Sequence, residues 1–227
     1  ICYVNKRRSP EERINEPGSM QSERIDGFEN IETGTPVLYR WIYDRIFWDL
    51  DHAEVELTGS RVDFANLIHA AAHLRLVLER VVTASFAASK RLFDKAQKKM
   101  ESAKDFGEMR KRLKELNPNY WPCSFGYVTH DGTVGQGVRP EVGLQESEVG
   151  RSFGLVSAIL HAPNPFKKNE TSPEENFEAL RALCLFLREL LESHIVQLAD
   201  SSEFLLLRRD GNGEIRVQSI KTDRPLL

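Results

Sequence analysis

The chain has 227 residues, 41% hydrophobic and 29% charged, a size that suits one ordinary globular domain with room for an extension. Its 31 Lys and Arg against 34 Asp and Glu leave a net charge of −3, which excludes the strongly basic field of a constitutive nucleic-acid binder but allows a local basic face. No stretch approaches the roughly 18 to 20 apolar residues that span a bilayer. Cys2, Cys123 and Cys184 are too few and too widely spaced for a disulfide framework or a zinc ribbon, so a cytoplasmic, reducing setting is expected, with no signal peptide.

Residues 1–30 are charged, aperiodic and broken by Pro17 and Gly18, which predicts a tail outside the fold. Gly18-Ser19-Met20 reads equally as a cloning junction before a natural start or as part of a natural arm. Residues 31–221 are expected to form a single helical domain. Pro36 suits a first helical turn, and the aromatic run Val37–Trp48 after it has no breaker, so a helix is predicted to about Leu50.

From Val62 to about Met100 there is neither Gly nor Pro, and Phe64, Leu67, Ile68, Ala71, Leu74, Leu78, Val81 and Val82 recur at three- and four-residue steps. That is one apolar stripe of a long helix. At 1.5 Å per residue it would extend roughly 58 Å, whereas a compact domain of this size is roughly 45 Å across. The helix must therefore kink, break in the small residues Thr83–Ser89, or project its charged end.

A shorter helix is predicted over Asp105–Leu116, stopped by Asn117-Pro118. Residues 117–143, rich in Gly and Pro, read as a long ordered loop with a small hairpin at Asp131-Gly132. Helices are then expected over Gln145–Ala162 and, capped by Thr171 or Ser172 with Pro173 next, to about Ala199. Glu203–Arg209 and Glu214–Ile220 flank Asp210-Gly211-Asn212-Gly213, a strong hairpin signal for 203–220. The predicted fold is mainly α: a bundle of four to five helices with one long helix and a C-terminal β-hairpin.

Ala158-Ile159-Leu160-His161 closing one helix ahead of Asn164-Pro165-Phe166, followed by a helix closing on His194 and a hairpin, resembles helical proteins of the HEPN class from bacterial defence and toxin operons. The likeness covers residues 145–220. It implies a helical bundle, often a homodimer, in which Arg and His from paired subunits cut RNA, and it makes His161, Arg188 and His194 the candidate catalytic residues. The class signature is Arg, four to six residues, then His. His161 lacks an Arg in that window, while Arg45…His52 and Arg188…His194 fit it.

Cleaving RNA needs an acid or base titrating near neutral pH and a cation for developing phosphate charge, roles suited to His and Arg. Arg45 and His52 fall nearly on one helical face. Arg188 and His194, six apart, diverge by about 240° on a helix. His194 shares the stripe of Leu187, Leu191 and Leu198, which favours a buried histidine with a hydrogen-bond partner. His161 can equally serve the C-terminal dipole of its helix.

His69 and His73 stand one turn apart, but with no local carboxylate or Cys they read as a polar seam against another helix or subunit, and no metal is expected. Lys95, Lys98 and Lys99 lie in the most basic stretch after the tail and are candidate phosphate contacts; the interleaved acids suit a solvated face equally. No Walker loop, dinucleotide fingerprint or nucleophile elbow occurs, so no cofactor is expected. Besides RNA cleavage or binding, two readings remain: a non-catalytic module for homo-oligomerisation or partner binding, and a small-molecule sensor using the Trp121–Phe125 loop.

Overall fold

A computed structural model describes residues 31–59, 63–89, 103–161, 172–198 and 202–222. Among them are five helices, α1 (Ile31–Thr58), α2 (Phe64–Ala88), α3 (Phe106–Leu116), α4 (Glu146–Leu160) and α5 (Pro173–Leu191). Five strands accompany them: β1 (Cys123–His130), β2 (Thr133–Val138), β3 (Ser193–Gln197), β4 (Glu203–Arg209) and β5 (Ile215–Lys221). The strands form one antiparallel sheet in the order β2-β1-β3-β4-β5. The protein is mainly helical, as expected, but its β content is a whole sheet and not a lone hairpin.

α1 and α2 form an antiparallel pair that supplies much of the core. α1 starts before Pro36 and continues past Leu50, because Leu50, Ala53 and Leu57 prolong the buried face begun by Tyr39, Ile42, Tyr43, Ile46 and Phe47. α2 opens on Asp63, whose carboxylate accepts the Ala65 amide at 2.8 Å, satisfying one orphan donor of the first turn. It ends at Ala88, with the Ser89 amide folded back on Ser85 and Phe86 carbonyls. The helix thus stays within the width of a domain by ending in the Thr83–Ser89 stretch. Ser89 is buried, and Asn117 donates to its hydroxyl. Lys95, Lys98 and Lys99 lie outside the described residues, as do residues 1–30 and Asn164.

The predicted loop 117–143 contains a hairpin, β1–β2, turning on Asp131 (φ 49°) and Gly132 (φ 77°). Positive φ at both positions gives the twist that a two-residue hairpin needs. Gly143, at φ 82°, lies against α5; a Cβ there would come within 2.6 Å of Leu190, so only glycine permits this approach. Leu144 is thereby buried and its amide reaches the Phe186 carbonyl at 3.2 Å.

α5 begins in a capping box, Ser172 with Glu175, followed by Pro173. It stops at Leu191, so the predicted helix to Ala199 is corrected: Ser193–Gln197 is the central strand β3, paired with β1 and β4. Both faces of β3 are buried. His194 and Val196 are buried on the helix side, while Ile195 joins Phe204 and Leu206 in a second cluster on the other face. Such a strand lacks the alternation that distinguishes strand from helix.

Candidate active site

The predicted candidates are not assembled into one centre. His161 is an exposed C-cap of α4, its amide bonded to the Ser157 carbonyl at 3.1 Å. Arg188, on α5, is gripped by Asp51 at 2.8 Å and Glu54 at 2.7 Å. Burial opposes its charge, and these carboxylates raise its pKa.

His194 is fully buried on β3 and both its ring nitrogens are engaged. Its Nδ1 lies 2.9 Å from the Leu191 carbonyl, which can only accept, so Nδ1 carries the hydrogen and Nε2 the lone pair. Tyr39 therefore donates to Nε2 at 2.9 Å, and Tyr43, 3.3 Å away, donates to Tyr39. Burial lowers the His194 pKa to about 4, holding it neutral. This is the buried, partnered histidine that its apolar stripe favoured. Arg188 and His194 engage entirely different groups.

The histidines that do converge lie in the α1–α2 seam. Helical spacing places Arg45, Asp49, His52 and Glu56 along one side of α1, and the antiparallel α2 brings His69, His73 and Arg80 opposite. Asp49 is completely buried. Its Oδ1 accepts from His73 Nδ1 at 2.9 Å, and the Arg80 guanidinium pairs with Oδ2. A buried carboxylate is stable only when matched in this way. Because Asp49 accepts at Nδ1, His73 keeps its basic lone pair on Nε2.

His52 has the same tautomer for a similar reason: its Nδ1 donates to the Trp48 carbonyl at 2.7 Å. Its ring lies 3.8 Å from that of Trp48 and 5.4 Å from that of His73. Burial, then the neighbouring His52, lowers the His73 pKa, with Glu56 opposing. His69 extends the seam towards Glu56 at 3.6 Å. At the other end Arg80 reaches the Arg45 carbonyl at 3.5 Å, and Arg45 lies over Trp41, 5.7 Å from its centroid. Burial and Arg45 lower the Arg80 pKa.

Thus two basic imidazole nitrogens and two guanidinium groups occupy one partly exposed strip. One histidine is oriented by a buried carboxylate, a relationship that fixes tautomer and ring direction in acid–base sites. Among the described residues, no group of three or more His, Cys, Asp or Glu could hold a metal ion. The sequence marked His69 and His73 as a seam and Arg45 and His52 as a spaced pair. It gave no notice of Asp49; the signal was an acid on the apolar face of Ile46, Phe47, Leu50 and Ala53.

A scan against protein-family models, a search of curated proteins and a search of solved structures each returned no match. The fold therefore defines the class by itself: a mainly helical protein in which an antiparallel sheet backs a helical layer. No described helix is long and apolar enough to cross a membrane.

Proposed function

We propose that this protein is a HEPN-like RNA-cleaving protein of a bacterial defence or toxin context, acting through the α1–α2 seam. The observation that carries the reading is the Asp49–His73 hydrogen bond of 2.9 Å with His52 beside it, the rings 5.4 Å apart. Neutral His73 takes the proton of a ribose 2′-hydroxyl through Nε2. The alkoxide attacks the adjacent phosphorus, and the bond to the 5′-oxygen breaks. His52, protonated at Nε2, gives its proton to that oxygen. Arg45 and Arg80 offset negative charge developing on the phosphoryl oxygens. The products are a 2′,3′-cyclic phosphate and a 5′-hydroxyl.

The test is cleavage of mixed RNA by the purified chain beside His73→Ala, His52→Ala and His161→Ala. Either seam variant is expected to lose about 10²- to 10⁴-fold in rate, with His161→Ala close to wild type. Equal rates in all, or no cleavage by wild type, would refute the reading.

A second reading, homo-oligomerisation or partner binding, is favoured by Val37, Trp41, Trp48 and Val55, which are 68%, 48%, 51% and 73% exposed along one side of α1. Sedimentation over a range of concentrations tests it; a concentration-independent monomer refutes the homodimer.

A further inference from the structure

Trp41 and Trp48 are seven residues apart, which on a helix places them about 10.5 Å apart and within about 20° of the same direction. Arg45 and His52 continue the same row. Large aromatic side chains half exposed to water are costly, and α1 has other positions that bury its aromatics completely, Tyr39 and Tyr43 among them. Each exposed indole is also held by a neighbour. Arg45 lies over Trp41, and the His52 ring packs on Trp48 at 3.8 Å. Trp48 also meets His73 edge-on, with centroids 5.6 Å apart. The indoles are thus fixed beside the two histidines and the two arginines. Asp44, next to this row, has Arg40 and Arg45 beside it.

Resting on the RNA-cleaving reading, we infer that Trp41 and Trp48 form a base-stacking subsite that admits an unpaired nucleic-acid strand and rejects a duplex. Flat indoles accept the π-face of any base, while Arg45 between them meets a backbone phosphate. Bases inside a duplex are stacked about 3.4 Å apart along each strand and present no face to indoles about 10.5 Å apart. Unpaired bases can splay onto both. The phosphate between two bases held in this way would lie at Arg45, while the next phosphate, beyond the base on Trp48, would fall towards His52 and His73, so stacking would also select the bond to be cut.

The test uses a deoxythymidylate strand of about 12 nucleotides, within the range of single-strand sites, free or paired with its complement. Lacking a 2′-hydroxyl, it cannot be cut by the proposed route. Fluorescence anisotropy with the full chain at fixed low salt is expected to show at least tenfold preference for the free strand. Trp41→Ala and Trp48→Ala each lose about five- to a hundredfold affinity, and the double variant no longer prefers the free strand. Both side chains are exposed, and unchanged circular-dichroism melts verify the fold.

Equal binding by wild type and the double variant overturns the subsite, and RNA cleavage persisting in that variant would show that the RNA reading survives. Strand binding that depends on the indoles without any RNA cleavage supports the subsite and refutes the cleavage reading. Affinity loss that tracks conversion of a dimer to a monomer in sedimentation overturns the subsite in favour of a second copy on this face.

Discussion

Asp49 Oδ1 accepts the Nδ1 hydrogen of His73 across 2.9 Å, from a residue with no exposure to a ring with some. The carboxylate is held from its other side by Arg80. The pair thereby joins core packing to surface chemistry, and its disruption should separate the two.

Asp49→Asn keeps the side chain's shape but removes the charge opposing Arg80. An amide at this position can present its NH2 to His73 and reverse the preferred tautomer. We expect a loss of about 3 kcal/mol or more in stability, since a charge partner is left buried and unmatched. RNA cleavage should fall at least as far as in His73→Ala. Urea unfolding and single-turnover cleavage read the two effects; unchanged values in both would refute the assigned pairing.

His73 must be neutral to act as a base. Its pKa is lowered from 6.5 by burial and by His52, so the acidic limb of kcat/KM should fall below pH 6.5. In the rate profile, activity rises with pH through that lowered value. An acidic limb above 6.5 would contradict His73 as the base.

His194 has a folded pKa of about 4, against the 6.5 of a histidine exposed to water in the unfolded chain. Between these values the unfolded chain binds the extra proton, so stability is present above pH 6.5 and is lost as pH falls towards 4. The contribution is up to about 3 kcal/mol at the lowered pKa. His194→Gln should cost about 1–3 kcal/mol at pH 7 and flatten this part of the pH dependence. Urea midpoints at several pH values check the sign, and an unaltered slope would disprove the assignment.

Gly143→Ala should destabilise by about 2 kcal/mol or more, because its φ of 82° disfavours a Cβ and Leu190 lies 2.6 Å from it. Ser172→Ala removes one half of the α5 capping box and should cost about 1 kcal/mol. Thermal melts of the two variants test this order.

Local signals were legible where a segment's own atoms decide its conformation. The Ser172-Pro173-Glu174-Glu175 start, the Asp131-Gly132 turn and the Asp210–Gly213 hairpin need only neighbouring residues. β3 was hidden because its two faces are buried against different partners. The α1 extension was hidden because acids punctuate its apolar face. The long α2 pattern exceeded the width of a domain, and the structure ends that helix at Ala88, where Ser89 is buried against Asn117.

The sequence by itself determined a mainly helical protein, its capped helix starts and tight turns, and two suggestive pairs, Arg45 with His52 and His69 with His73. Only the tertiary structure decided that these pairs meet, that Asp49 and Arg80 join them, and that His194 belongs to a buried tyrosine network. Helical period places a side chain on a face; the antiparallel packing of α1 on α2 decides which face it meets. A buried carboxylate can remain charged only where that packing supplies Arg80 and His73.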